Sequence, residues 1–187
     1  MILMQEPSFA FNSVDVPGPT YRMWVTEYGK KGTTVDDLAD MINEATRASW
    51  EQKQTNLRNI VINSHGLDGG GKISIGGRGL AGLDASNASK FSFLRSTQKS
   101  TGTIWIVACD AANGSGGKQL CSSLAQSSGY QVVAAEGAQD TGAWGTYRLV
   151  TGMAHQIDEF EDTVYAFYAT GGWRVIDPHD DIYTIRE

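Results

Sequence analysis

Two residues of this sequence have side chains able to break an acyl bond together, a histidine at position 65 and a cysteine at position 109. A thiol attacks as its thiolate and needs a base within reach, which an imidazole titrating near neutrality supplies. Each residue closes a short apolar run: IVINS leads into His65 and IWIVA leads into Cys109. Runs apolar on both faces read as central strands of a parallel sheet, where reactive groups gather beyond the carboxyl ends. Two such strands lying side by side bring their tips within roughly 5 Å. Gly66 has no side chain to keep a substrate carbonyl from its backbone N–H, and with the amide of Cys109 it makes a candidate oxyanion hole. The implied cycle begins with attack by Cys109 and a tetrahedral oxyanion. His65 then protonates the leaving amine, and the thioester is hydrolysed.

The elements that must position this pair follow from local patterning. Pro7, Pro17, Gly18 and Pro19 mark residues 1–19 as an irregular arm, and TYRMWVTEY reads as a first strand. After a turn at Gly29–Gly32, Thr33 or Thr34 caps a helix with Asp36 and Asp37 in its first turn. Its buried stripe is Val35, Leu38, Met41, Ile42 and Ala45, running to about Ser49. Beyond His65 come the glycine loop LDGGGK, a strand KISIGG, and a helix over 88–97 with Phe91 and Leu94 inside. Beyond Cys109 come a turn at 113–117, a helix over 118–127 with a glycine at 129 as C-cap, and a strand over 130–135. The loop EGAQDTGAWG follows. Strands alternating with helices give an α/β fold, a three-layer α/β/α sandwich with a mainly parallel central sheet. The pattern changes after Gly145, where TYRLV, TVYAFYA and WRVIDP form a β-rich end over 146–187. That end is either an antiparallel extension of the sheet or a small subdomain; residues 20–187 otherwise form a single domain.

An apolar strand ending in His-Gly followed by one ending in Ala-Cys resembles the caspase-like cysteine peptidases of clan CD. These are the caspases, legumain, gingipains, clostripain, separase and related bacterial domains. The matching stretches are IVINSHG at 60–66 and IWIVACD at 104–110, and the segment ACDAANGSGGKQLCSSLAQSSGYQVVAAE is similar to bacterial domains of this fold. The separation of 44 residues between His65 and Cys109 lies near the roughly 50 of caspases. The resemblance covers about 58–136. It implies caspase-like topology, His65 as general base and acid, Cys109 as nucleophile, and the amides of Gly66 and Cys109 as oxyanion donors. It also implies a polypeptide substrate, and an activating or inhibiting protein partner as an open alternative, as in a toxin-like effector or a partner-controlled peptidase. Asp110 follows the nucleophile where caspases carry Arg-Gly, which separates this chain from the caspases proper and leaves cleavage after Asp unsupported.

Specificity candidates are Asp110 beside the thiol and Glu136, Asp140 and Trp144 beyond the third core strand. A buried Glu136 or Asp140 calls for a basic partner, and so favours Lys or Arg before the scissile bond. Cys121 lies on the apolar face of a helix and reads as core. Trp173 stands at the cleft or over the core, and His179 in DPHDD reads as surface. Asp68 with its glycines is read as an active-site rim, not a phosphate loop, because no Lys-Ser/Thr follows. No G-x-S-x-G elbow exists for an α/β-hydrolase. Two rivals stand: a non-catalytic caspase-like binding module, and a papain-like or cell-wall-amidase order using Cys109 with His155.

Composition bounds the rest. Two cysteines make no disulfide framework and suit a reducing compartment. A net charge of -6 without a Lys/Arg cluster argues against nucleic acid, Lys30 and Lys31 reading as a solvated turn. No apolar run reaches the ~18 residues of a membrane span, and MILMQEPSFAF lacks a basic n-region. The expectation is therefore a cytoplasmic protein, or one exported without a cleaved signal peptide, with no membrane contact, no metal and no cofactor.

Overall fold

A computed structural model describes residues 7–14, 16, 21, 23–67, 69–96, 102–139, 160 and 162–176. In chain order the elements are β1 (Ser8–Asn12), β2 (Val25–Tyr28), α1 (Val35–Lys53), β3 (Asn59–Asn63), β4 (Lys72–Ser74) and β5 (Gly82–Asp84). A 3-10 turn (Ala88–Phe91), α2 (Phe93–Ser96), β6 (Thr103–Val107), α3 (Gly114–Ser128), β7 (Gln131–Ala135), β8 (Val164–Phe167) and β9 (Trp173–Ile176) follow. Seven strands form one sheet in the order β2-β1-β3-β6-β7-β8-β9, and β4 and β5 form a separate antiparallel hairpin. The first five strands of the sheet are parallel; β8 and β9 add antiparallel to its end. The fold is thus mixed α/β with a mostly parallel central sheet. Of the two readings open for the β-rich end, its described part is an antiparallel extension of that sheet.

Connection handedness explains the two unlike faces. From β2 through β7 each crossover moves the same way along the sheet, carrying α1, then the 3-10 turn with α2, then α3. Right-handed parallel crossovers moving one way must lie on one face. Leu38 and Ile42 of α1, Phe91, Leu94, and Leu120 and Leu124 of α3 accordingly share one core with Phe9, Phe11, Ile60, Ile62, Ile104 and Ile106. The β1-to-β2 connection alone moves the other way, so it belongs on the opposite face. Tyr21 and Met23 from that connection do pack there, with Val61, Trp105, Val133 and Phe160. Among the described residues no helix covers that face, so the third layer of the expected sandwich is not formed by them. Apolar strand faces require cover, and aromatic side chains from a crossover provide it.

Three local readings change. Residues 8–12, assigned to an irregular arm, are an interior strand whose five residues are all buried. The prolines around SFAFN signal breaks, yet five residues fit between them, a usual strand length. The first strand is correspondingly short, four residues at the sheet edge. Helix α3 begins at Gly114, inside the stretch read as a turn. The glycines there serve packing: a Cβ on Gly117 would lie 2.5 Å from the carbonyl carbon of Ala112. Of the helix expected over 88–97, the described residues 88–96 form a 3-10 turn and a single turn of α2, with Phe91 and Leu94 buried as expected.

Helix α1 follows its sequence signals closely. Thr34 Oγ1 accepts from the Asp37 N–H at 3.1 Å, and the Asp37 carboxylate accepts from the Thr34 N–H at 2.8 Å, a reciprocal capping box. The bond from the Thr34 N–H first, and then one donated by the Thr34 hydroxyl at 2.8 Å, hold the Asp37 carboxyl below its ordinary range.

Candidate active site

Strands β3 and β6 are adjacent and parallel, in register from Asn59↔Thr103 to Asn63↔Val107. The ladder continues past the end of β3, since the Ser64 N–H donates to the Val107 carbonyl at 3.0 Å. His65 and Cys109 each stand two residues beyond the Asn63–Val107 pair, at the same level of neighbouring strands. The next residue confirms the contact. A Cβ on Gly66 would fall 1.6 Å from the Cys109 carbonyl oxygen, so only glycine lets these backbones meet. His65, Gly66 and Cys109 are all half-buried.

The hairpin β4–β5 clamps the histidine side. Ser74 N–H donates to the His65 carbonyl at 2.8 Å and Leu67 N–H to the Lys72 carbonyl at 3.0 Å, with Gly66 opposite Ile73 between them. Ser64 Oγ donates to the Ser74 carbonyl, and Ser13 Oγ to the Ile75 carbonyl at 3.0 Å. Below, the buried Asn63 amide donates to Asn12 Oδ1 at 3.0 Å, which also accepts the Tyr21 N–H at 2.8 Å. These bonds tie the carboxyl ends of β1 and β3 to the hairpin. The loop between β4 and β5 carries Arg78, whose Nη2 lies 3.5 Å from His65 Nδ1. Among the described residues neither the Gly66 N–H nor the Cys109 N–H donates to a backbone carbonyl.

The cysteine side is built from the turns after β6 and β7. Asp110 N–H donates to the Gly137 carbonyl and Ala112 N–H to the Ala135 carbonyl, both at 2.9 Å. Asp110 takes a left-handed backbone with φ 55°, which reverses the chain just after Cys109 and leads into α3. The 136–139 segment then reaches the sulfur: the Gln139 N–H donates to Cys109 Sγ at 3.3 Å, and the thiol lies 3.6 Å from the Gln139 carbonyl. Gly70 and Gly71 of the glycine loop pack down on this turn. A Cβ on Gly70 would lie 2.6 Å from the Asn113 carbonyl oxygen, and one on Gly71 would lie 2.9 Å from Gly116.

Glu136 sits beyond β7, as expected for a group on this edge, but its carboxylate is partnered within the chain. Tyr165 Oη donates to Glu136 Oε2 at 2.7 Å, and Lys118 Nζ lies 3.7 Å from Oε1. That hydrogen bond to Glu136 is the main cause of a raised Tyr165 phenol pKa. Asp110 is half-buried beside Cys109. Trp173 is half-exposed on β9. Cys121 is fully buried in α3, as the sequence indicates, and burial pushes its thiol pKa up. Asp68, Asp140, Trp144, His155 and His179 lie outside the described residues.

Sequence reasoning missed Arg78 and the Gln139 amide. Arg78 sits in a run GGRG whose glycines advertise a tight loop, but only the hairpin's docking brings it to His65. Gln139 acts through its backbone, which no residue type announces. Among the described residues no three His, Cys, Asp or Glu side chains converge to hold a metal, and no helix is long and apolar enough to cross a membrane.

The family model described as Domain of unknown function (DUF4347) matches residues 25–166, most of the chain. No curated protein and no solved structure matches it.

Proposed function

We propose that this chain, which belongs to the DUF4347 family, is a cysteine hydrolase of caspase-like topology that cleaves amide bonds in polypeptides. One observation carries the reading: β3 and β6 are in-register neighbours, so His65 and Cys109 emerge side by side from one edge of a parallel sheet. Strand ends at that edge are where α/β folds hold chemistry.

The cycle assigns each group one task. His65 takes the thiol proton, and the Cys109 sulfur attacks the substrate carbonyl carbon. The negative charge moves to the carbonyl oxygen, toward the N–H groups of Gly66 and Cys109, neither of which donates to a backbone carbonyl among the described residues. The C–N bond breaks as imidazolium protonates the leaving amine, giving a thioester on Cys109. Water, deprotonated by His65, then attacks the thioester and restores the thiol.

The Gln139 backbone covers part of the sulfur, and substrate entry requires the 136–139 segment to shift. A protein partner that moves this segment would switch the enzyme on, and one that holds it would keep it silent.

Incubation with a mixture of unstructured peptides, read by mass spectrometry, tests the reading. New termini are expected with the natural chain, with at least a ~1000-fold loss in Cys109→Ala and in His65→Ala. Cleavage that persists in Cys109→Ala would contradict it. Persistence in His65→Ala with loss in His155→Ala would transfer the base to the papain-like order.

A further inference from the structure

The lysine that partners Glu136 also sits in an aromatic corner. Lys118 Nζ lies 4.7 Å from the Tyr165 ring centroid and 5.1 Å from that of Trp173. The two rings meet edge-on with centroids 5.2 Å apart. Tyr165 Oη in turn donates to Glu136. Two π faces and a carboxylate around one ammonium form the arrangement by which proteins recognise cations. Four separate elements supply it: α3, the turn after β7, β8 and β9. Here the cation comes from the chain itself.

The resident lysine is weakly held. Its distance to the carboxylate is long for an ion pair, and its side chain retains 27 % exposure, with Glu136 at 33 %. A half-buried pair at this distance, open to water, holds the lysine only loosely. The flexible stem of lysine lets the ammonium leave without disturbing the backbone. Trp173, the outer wall, is 48 % exposed, so the corner opens to solvent. It also adjoins the nucleophile, because Glu136 begins the segment whose Gly137 carbonyl accepts from Asp110 and whose Gln139 amide meets Cys109 Sγ.

We propose that Glu136, Tyr165 and Trp173 form a binding site for a basic side chain of a polypeptide, occupied at rest by Lys118 as an internal competitor. As the specificity pocket of a hydrolase this site rests on the function proposed above; as a binding site it does not. Arginine is the better-matched ligand, since its planar guanidinium stacks on aromatic rings and pairs with a carboxylate at once. The resident competitor lowers the apparent affinity by the fraction of time Lys118 fills the corner. Binding there would also engage the segment that covers Cys109.

The test measures binding, not cleavage. Nα-acetyl-arginine amide is titrated into the full chain and into Lys118→Met while the Trp173 indole N–H is followed by NMR, assigned by its loss in Trp173→Phe. A saturable shift is expected in Lys118→Met, at least about threefold tighter than in the natural chain. Adding Glu136→Gln should weaken it at least about fivefold, and the neutral Nα-acetyl-norleucine amide should give none. Should Lys118→Met fail to fold by circular dichroism, Lys118→Gln gives the same reading. Equal affinity with and without Lys118, no saturable shift in either variant, or an equal response to norleucine amide would overturn the site. A chain that binds arginine but cleaves nothing would retain the site and refute only the hydrolase.

Discussion

Gly66 is the residue where fold and chemistry meet most tightly. A methyl group there would sit 1.6 Å from the Cys109 carbonyl oxygen, a backbone atom that cannot swing aside. Gly66→Ala is expected to lose about 3 kcal/mol, read from the urea midpoint, because the adjoining strand ends must separate. Unchanged stability would mean that the Gly66 and Cys109 backbones are not in contact. Asp110 tests the turn beside it. Its left-handed backbone is tolerable for Asp and Asn but not for a β-branched residue. Asp110→Val should therefore cost about 1–2 kcal/mol and Asp110→Asn less than about 0.5, by the same measurement. Tyr165 supplies a pH signature. Its phenol is held protonated by the Glu136 carboxylate, so the folded state binds that proton more tightly than the unfolded chain. The resulting stability is present below the ordinary tyrosine range and is lost as pH rises through the raised folded value. In a spectrophotometric titration, Glu136→Gln should bring Tyr165 ionisation to lower pH; no movement would dissolve the hydrogen bond.

Among the elements, β1 distinguishes the observed fold from a looser one. Phe9 and Phe11 are fully buried between β2 and β3. Phe9→Ala is expected to cost about 3–5 kcal/mol by urea unfolding, the range for an aromatic core truncation. A loss below about 0.5 kcal/mol would instead match the irregular arm that the prolines suggest. What was legible in sequence is what local physics dictates. The apolar runs before His65 and Cys109, the reciprocal cap of α1 and the strand before Glu136 each carry their own signal. That both ends reach one edge was legible as well from strand polarity, but that β3 and β6 are neighbours came only with the sheet order. What was not legible depends on distant partners. SFAFN needs β2 and β3 to become a strand, and Gly114–Gly117 needs Ala111 and Ala112 to become a helix start. The pairing of Lys118 with Glu136, Tyr165 and Trp173 needs the antiparallel end of the sheet.

At the scale of the whole molecule, one topological choice produces both the asymmetry and the site. Crossovers from β2 to β7 that all move one way gather the helices on one face and leave the carboxyl edge to turns. The turns after β3, β6 and β7, clamped by the β4–β5 hairpin, assemble His65, Cys109 and the Gln139 amide from separate parts of the chain. Under the proposed function, heightened reactivity at Cys109 is a property of the folded molecule, and unfolding should erase its difference from Cys121. The most direct measurement is alkylation by iodoacetamide with mass analysis of the modified sites. In the native chain Cys109 should react and the buried Cys121 should not, while denaturant makes both react alike. His65→Ala should slow Cys109 alkylation at least about tenfold while Cys121 stays protected. Equal native labelling of the two cysteines, no labelling without denaturant, or a Cys109 rate indifferent to His65→Ala would contradict the dyad.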